Sequence, residues 1–154
     1  TLSRLLAQEN GASYIRIDEI EQALRDKVAP NTDIGAKGYV KGYMLAAKAL
    51  RGGRPVVADA VNAVEIARQG WREVAKSHSV PIIEIEITCS DPDEHRRRLE
   101  SRQSDIRGMH SVSWEQASRR PFEPNSNLHI LIDTSGQTPS QSLTVLKHHL
   151  ALQA

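Results

Sequence analysis

The segment Arg54-Pro55-Val56-Val57-Ala58-Asp59-Ala60-Val61-Asn62 decides the fold. Its apolar, β-branched run ends abruptly in a carboxylate, and a helical pattern begins at once. A buried parallel strand reads this way when it delivers one charged side chain to the C-terminal edge of its sheet. In open α/β sheets, ligands bind at that edge.

Working outward, the same strand-then-acid pattern recurs. Ser13 to Ile17 alternates and meets Asp18, where Asp18-Glu19-Ile20-Glu21 has the form of a capping box for a helix running to about Arg25. Leu128 to Ile132 forms a last strand ending in Asp133, Thr134, Ser135 and Gly136. A further strand, Pro81 to Thr88, places Glu84 and Glu86 on one face and isoleucines on the other, so one face is expected to be partly solvated.

Helical patterns separate these strands. The first opens the chain at Leu2, Leu5 and Leu6, with Gly11 as terminator. The second spans Ala36 to Leu50 with an expected inner face of Tyr39, Tyr43, Met44, Ala47 and Leu50. The third starts from an Asn62 cap with Glu65, and buries Val64, Ala67, Trp71, Val74 and Ala75. Ser90-Asp91-Pro92-Asp93-Glu94 starts a strongly basic helix. Ser113 to Gln116 and Thr138 to Gln141 cap two more, the last continuing through Leu143, Leu146 and Leu150. Strands alternating with helices predict a parallel sheet flanked by helices, with Asp18, Asp59 and Asp133 along one edge.

Length and composition bound the possibilities. The chain has 154 residues, enough for one domain with a real core, so a single domain over 1–154 is expected. A net charge of +1 gives no global attraction to nucleic acid or anionic membrane, and any phosphate recognition must come from local clusters. The lone Cys89 excludes an internal disulfide and a cysteine-rich zinc site, and fits a reducing cytoplasm. No apolar run has the length of a membrane span, and no secretory signal opens the chain. The six histidines show no zinc-like spacing, and Trp71 and Trp114 read as packing residues.

Thr1-Leu2-Ser3-Arg4-Leu5-Leu6-Ala7 resembles the segment immediately after the Gly-Lys-Ser of a Walker A loop in small P-loop kinases. Asp59-Ala60-Val61-Asn62, Cys89-Ser90-Asp91-Pro92, Glu94-His95-Arg96-Arg97-Arg98 and Asp105-Ile106-Arg107-Gly108 resemble a group of bacterial AAA-type ATPases or kinases. That group is related to 5′-hydroxyl polynucleotide kinase, zeta toxin, gluconate kinase and chloramphenicol phosphotransferase. The resemblance implies a three-layer, adenylate-kinase-like P-loop NTPase fold. It also implies ATP and Mg²⁺ as cofactors and a hydroxyl on a small molecule or nucleic-acid end as phosphoryl acceptor. The first strand and Walker A loop of that fold are absent from this sequence, so an upstream segment is expected before Thr1.

The resemblance implies roles for individual residues. Asp18 is the candidate to accept or orient the acceptor's proton, as well as a helix cap. Asp59 is the candidate Mg²⁺ residue, acting through water as a Walker B aspartate does, or else a turn former. Asn62 and Arg25 are candidate substrate contacts; a cap and a solvated surface charge are their plainer readings. Arg98 and Arg102 share a helix face and would neutralise the transferring phosphoryl group, within an arginine-rich lid over about 94–120. Thr1, Asp133 and Thr134 are the nucleotide-side candidates. The alternative is a nucleotide-binding regulatory or degenerate domain with no phosphoryl acceptor.

Overall fold

The computed structural model describes residues 1–109, 111–127 and 129–152; the expected strand start at Leu128 lies outside them. Two compact units form, Ser3–Ile82 and Ile83–Ala154, the latter together with Thr1–Leu2. The order is α1 (Leu2–Glu9), β1 (Ser13–Arg16), α2 (Ile17–Arg25), α3 (Lys37–Arg51), β2 (Val56–Asp59) and α4 (Glu65–Ser77), then β3 (Ile85–Thr88), α5 (Pro92–Ser101), α6 (Trp114–Ser118), β4 (Ile130–Asp133) and α7 (Pro139–Ala151). Every described strand pairing is parallel, but the expected continuous sheet is observed as two ribbons, β1–β2 and β3–β4.

In the first unit the register pairs Ser13 with Val56, Tyr14 with Val57, Ile15 with Ala58 and Arg16 with Asp59. Side chains alternate along a strand, so the ribbon has two unlike faces. Ile15, Val56 and Ala58 lie on the core face with Ile17, Ala46 and Trp71. Tyr14, Arg16, Val57 and Asp59 share the other.

Helix α3 buries small residues. Gly38, Gly42, Ala46 and Ala49 form its inner stripe, while Met44, expected inside, is 62% exposed. Their small size lets neighbours approach closely. A Cβ on Gly42 would lie 2.5 Å from Ile17 Cδ1 and 3.1 Å from the Trp71 ring. Tyr39 and Tyr43 do pack on the core, with Tyr43 edge-on to Trp71 at 4.7 Å between centroids.

Two expected caps take another form. Helix α2 begins directly from the strand at Ile17, its N-cap is Arg16, and no side chain caps it. Asp18 therefore sits in the first turn, where the helix dipole favours an acid, and Glu21 pairs with Arg25 at 2.8 Å. Helix α4 begins at Glu65, with Val64 as N-cap and no capping side chain. Asn62 lies outside it in a left-handed conformation, φ +48°.

In the second unit β3 is shorter than expected, Ile85–Thr88, and Ile85 and Ile87 pair with Ile130 and Ile132. Glu84 accepts from Asn125 at 2.9 Å and Glu86 lies 3.2 Å from His129 Nε2, which accounts for the acidic face. The start of α5 is as expected: Asp91 accepts from the backbone N–H groups of Asp93 and Glu94. Capping boxes at Ser113/Gln116 and Thr138/Gln141 start α6 and α7, and α7 buries Ser142, Leu143 and Leu146. Trp114 is half-buried, edge-on to His95. Among the described residues no helix is long and apolar enough to cross a membrane.

Candidate functional site

The first unit brings two acids to one end of the β1–β2 ribbon, and their bonding differs. Asp59 closes β2 in register with Arg16, the last residue of β1. Its Oδ2 accepts a 2.5 Å hydrogen bond from the Tyr14 hydroxyl, which reaches it diagonally across the strand pair. Burial, followed by this bond and the charge of Asp59, pushes the Tyr14 phenol well above its ordinary pKa, so it stays a donor. Asp18, one residue into α2, is half-buried and has no hydrogen-bond or ion-pair partner among the described residues.

The β2–α4 loop is fixed through Asn62. Its Oδ1 accepts from Trp71 Nε1 at 3.0 Å, its carbonyl accepts from Arg68 Nη1 at 2.8 Å, and its N–H donates to the Tyr39 hydroxyl at 3.1 Å. Indole nitrogen only donates, so the amide oxygen must face Trp71. The Nδ2 group is left over as a donor, with no partner among the described residues. Arg68 is only 5% exposed, and its charge is balanced by Glu65 at 2.9 Å. Glu65 also pairs with Arg72 at 2.5 Å; bonds from Arg72 and then Arg68 hold its carboxyl below the usual range. The spacing Asn-x-x-Glu fits a cap, but Glu65 is taken by arginines one and two turns on, and Asn62 is freed to hold the loop.

In the second unit Arg98 is a bridge. Its guanidinium donates to Thr134 Oγ1 at 3.2 Å, to the Thr134 carbonyl at 3.0 Å and to the Gln137 carbonyl at 2.9 Å, and pairs with Glu94 at 2.5 Å. Glu94 also accepts from Gly136 N–H at 2.8 Å; this bond first, then the charge of Arg98 and the Ser135 hydroxyl, lowers its pKa. Asp133 accepts from the N–H groups of Ser90 and Ser135 at 3.0 Å each, and bonds from Ser90 and Ser135 depress its pKa. Thr134 Oγ1 donates to the Thr88 carbonyl at 2.7 Å. Arg98, expected at the transferring phosphoryl group, and Asp133 and Thr134, expected on the nucleotide side, all bond around the β4–α7 turn.

The other candidates stand apart from these networks. Arg102 closes α5 as its C-cap and, like Arg97, has no side-chain partner among the described residues. Arg96 pairs with Glu100 at 2.8 Å, and Arg25 is occupied by Glu21. Thr1 is exposed immediately before α1.

No group of three or more His, Cys, Asp or Glu side chains able to hold a metal occurs among the described residues. A single carboxylate with one oxygen to spare, as Asp59 has, suits Mg²⁺, which keeps several waters and is shared between one or two carboxylates and substrate phosphates.

Residues 1–121 match the model of the AAA domain family. The chain belongs to that family. No curated protein matches this AAA-domain chain significantly in sequence. Its fold is shared with a supposed kinase of Chloroflexus aurantiacus J-10-fl, at TM-score 0.65 and 16% identity over 99% of this chain and 89% of that one. It is shared too with a gluconokinase from Sinorhizobium meliloti 1021, at TM-score 0.59 and 14% identity over the same shares. The AAA-domain chain therefore has the α/β fold of P-loop kinases, with parallel strands flanked by helices.

Proposed function

We propose that this AAA-domain chain is an ATP-dependent kinase that moves the γ-phosphoryl of ATP to a hydroxyl on a small molecule or a nucleic-acid end. The pair of strand-end acids carries this reading: Asp59 is hydrogen-bonded in place and Asp18 is half-buried with no partner among the described residues. In-line phosphoryl transfer asks for two carboxylate roles, one fixed beside the metal and one able to take or orient the acceptor's proton. Asp59 fills the first role and Asp18 the second. Mg²⁺·ATP supplies the phosphoryl group and spreads its charge.

Asn62 Nδ2, its orientation set by Trp71, donates to the acceptor. In the second unit Arg102 is the candidate to bind a phosphoryl group, a role open to it because no acid among the described residues claims its guanidinium. Arg98 supports it by holding α5 onto the turn at Thr134–Gln137. Asp133 and Thr134 shape the turn on which the nucleotide base rests, and Thr1 lies at the phosphate end. Arg25 is a weaker substrate contact, since Glu21 competes for it.

The test is a screen of γ-labelled ATP against sugars, nucleosides, antibiotics and 5′-hydroxyl oligonucleotides, run on the full-length polypeptide with Mg²⁺. Label appearing on one acceptor class, and disappearing with Asp18→Asn, is the expected result. ATP binding without transfer to any acceptor would favour the regulatory-domain reading.

A further inference from the structure

The polar face of the β1–β2 ribbon contains a residue that neither the motifs nor the fold assigns a task. Tyr14 could have pointed its hydroxyl to water. It donates to Asp59 Oδ2 at 2.5 Å, from a strand position that is in register with Val57 rather than with Asp59. The bond is set by the ladder: strand pairing fixes both Cα positions, and an aromatic side chain spans the diagonal between neighbouring strands. Nothing else among the described residues bonds to the Asp59 carboxylate, so one oxygen is occupied and the other is left unbonded.

We propose that Tyr14 is the positioning residue of the metal side of this site, orienting the Asp59 carboxylate so that its remaining oxygen meets a hydrated Mg²⁺ bound with nucleotide. A carboxylate on a single Cα–Cβ–Cγ axis rotates freely, and a metal held through one carboxylate loses affinity if that rotation is not stopped. Outer partners of this kind are worth about 10–100-fold in metal affinity. Tyr14 does the stopping. Arg16, in register with Asp59 and only 9% exposed, is on the same face. It lies 3.5 Å from Glu19, so part of its charge is directed away from Asp59.

This inference rests on the kinase reading, and its test separates the two. Mn²⁺, a spectroscopic stand-in for Mg²⁺, is titrated into full-length protein saturated with a non-hydrolysable ATP analogue, and bound metal is read by electron paramagnetic resonance. Tyr14→Phe weakens Mn²⁺ binding about tenfold or more, leaves analogue affinity without metal unchanged, and raises by a similar factor the Mg²⁺ concentration needed for half-maximal transfer. Asp59→Asn weakens Mn²⁺ at least as much, and adding Tyr14→Phe to it has no further effect, because the residue acts through the carboxylate. Tyr14→Leu, which keeps an apolar side chain at this strand position and carries no donor, behaves as the Phe variant does. Normal Mn²⁺ affinity in Tyr14→Phe alongside weakened affinity in Asp59→Asn would overturn the positioning role and leave the kinase reading standing. Equal, additive losses from the two substitutions would overturn it as well. Failure of wild-type protein to transfer phosphoryl groups, with Mn²⁺ still dependent on Tyr14, would remove the kinase reading and leave the metal site.

Discussion

Replacing Asn62 tests how firmly the β2–α4 loop is held. Two separable costs attach to this residue. Its Oδ1 is the partner of Trp71 Nε1, and Trp71 is 8% exposed, so losing the amide leaves a buried indole N–H unpaired at about 1–3 kcal/mol. Its backbone is left-handed, φ +48°, a region that costs an ordinary L-residue about 1–2 kcal/mol and that Asn and Gly tolerate. Asn62→Ala incurs both, roughly 2–5 kcal/mol. Asn62→Gly incurs mainly the first, about 1–3 kcal/mol. Asn62→Asp keeps an acceptor for the indole N–H and tolerates the left-handed conformation, and the Arg68 bond to the carbonyl of this residue is retained. The aspartate variant is expected to lie closest to wild type. The assay is urea unfolding followed by tryptophan fluorescence in a Trp114→Phe background, so that Trp71 alone reports. With a slope of about 1–3 kcal/mol per molar urea, the alanine variant loses on the order of 1–2 M in midpoint. Alanine and glycine variants with the same midpoint, both close to wild type, would refute the reasoning.

Other consequences are testable together. Gly70→Ala places a Cβ in the Tyr43 ring, which is held by a hydrogen bond to the Ala67 carbonyl and by its edge contact with Trp71. Overpacking of about 1–3 kcal/mol exceeds the roughly 1 kcal/mol gained in helix propensity, so the melting temperature falls. Arg98→Ala lowers the melting temperature because the bridge to Thr134 and Gln137 is lost, whereas Arg102→Ala leaves it unchanged and slows transfer; equal melting of the two would contradict the division. The depressed carboxyls of Asp133 and Glu94 contribute stability that is complete above the unfolded carboxylate pKa of about 4 and is lost as pH falls through their lower folded values. Urea midpoints measured from about pH 6 to about pH 3 should therefore drop at the acid end, and Asp133→Asn with Glu94→Gln should flatten that drop.

Much of this fold was written locally. Strand-then-acid at Asp59, the Asp91 cap with Pro92, and the paired Thr138/Gln141 box rest on short-range chemistry, and each formed where the sequence placed it. Asp18 and Asn62 show the limit of such patterns. Both have the spacing of a capping box, yet Glu21 and Glu65 are drawn off by Arg25, Arg68 and Arg72, so neither aspartate nor asparagine caps. Helix α3 misled for a different reason: hydrophobicity pointed to Met44, but close approach to Ile17 and Trp71 requires glycine at position 42, and the Gly38/Gly42 spacing was the signal. The role of Tyr14 depends on register between two strands far apart in the chain, which alternation alone does not give. Arg98 and Arg102 lie on one face, and only tertiary contacts distinguish the bridge from the guanidinium with no partner among the described residues.

Substitution of Asp18 tests the central claim most directly. Single-turnover transfer from γ-labelled ATP to the identified acceptor is measured for full-length wild-type and Asp18→Asn protein, alongside ATP affinity. The account predicts a rate lowered by about 10²–10⁴-fold, the usual range for losing a general base, with ATP affinity unchanged. An Asp18→Asn protein that transfers at the wild-type rate, or that loses transfer only in proportion to ATP binding, would contradict it.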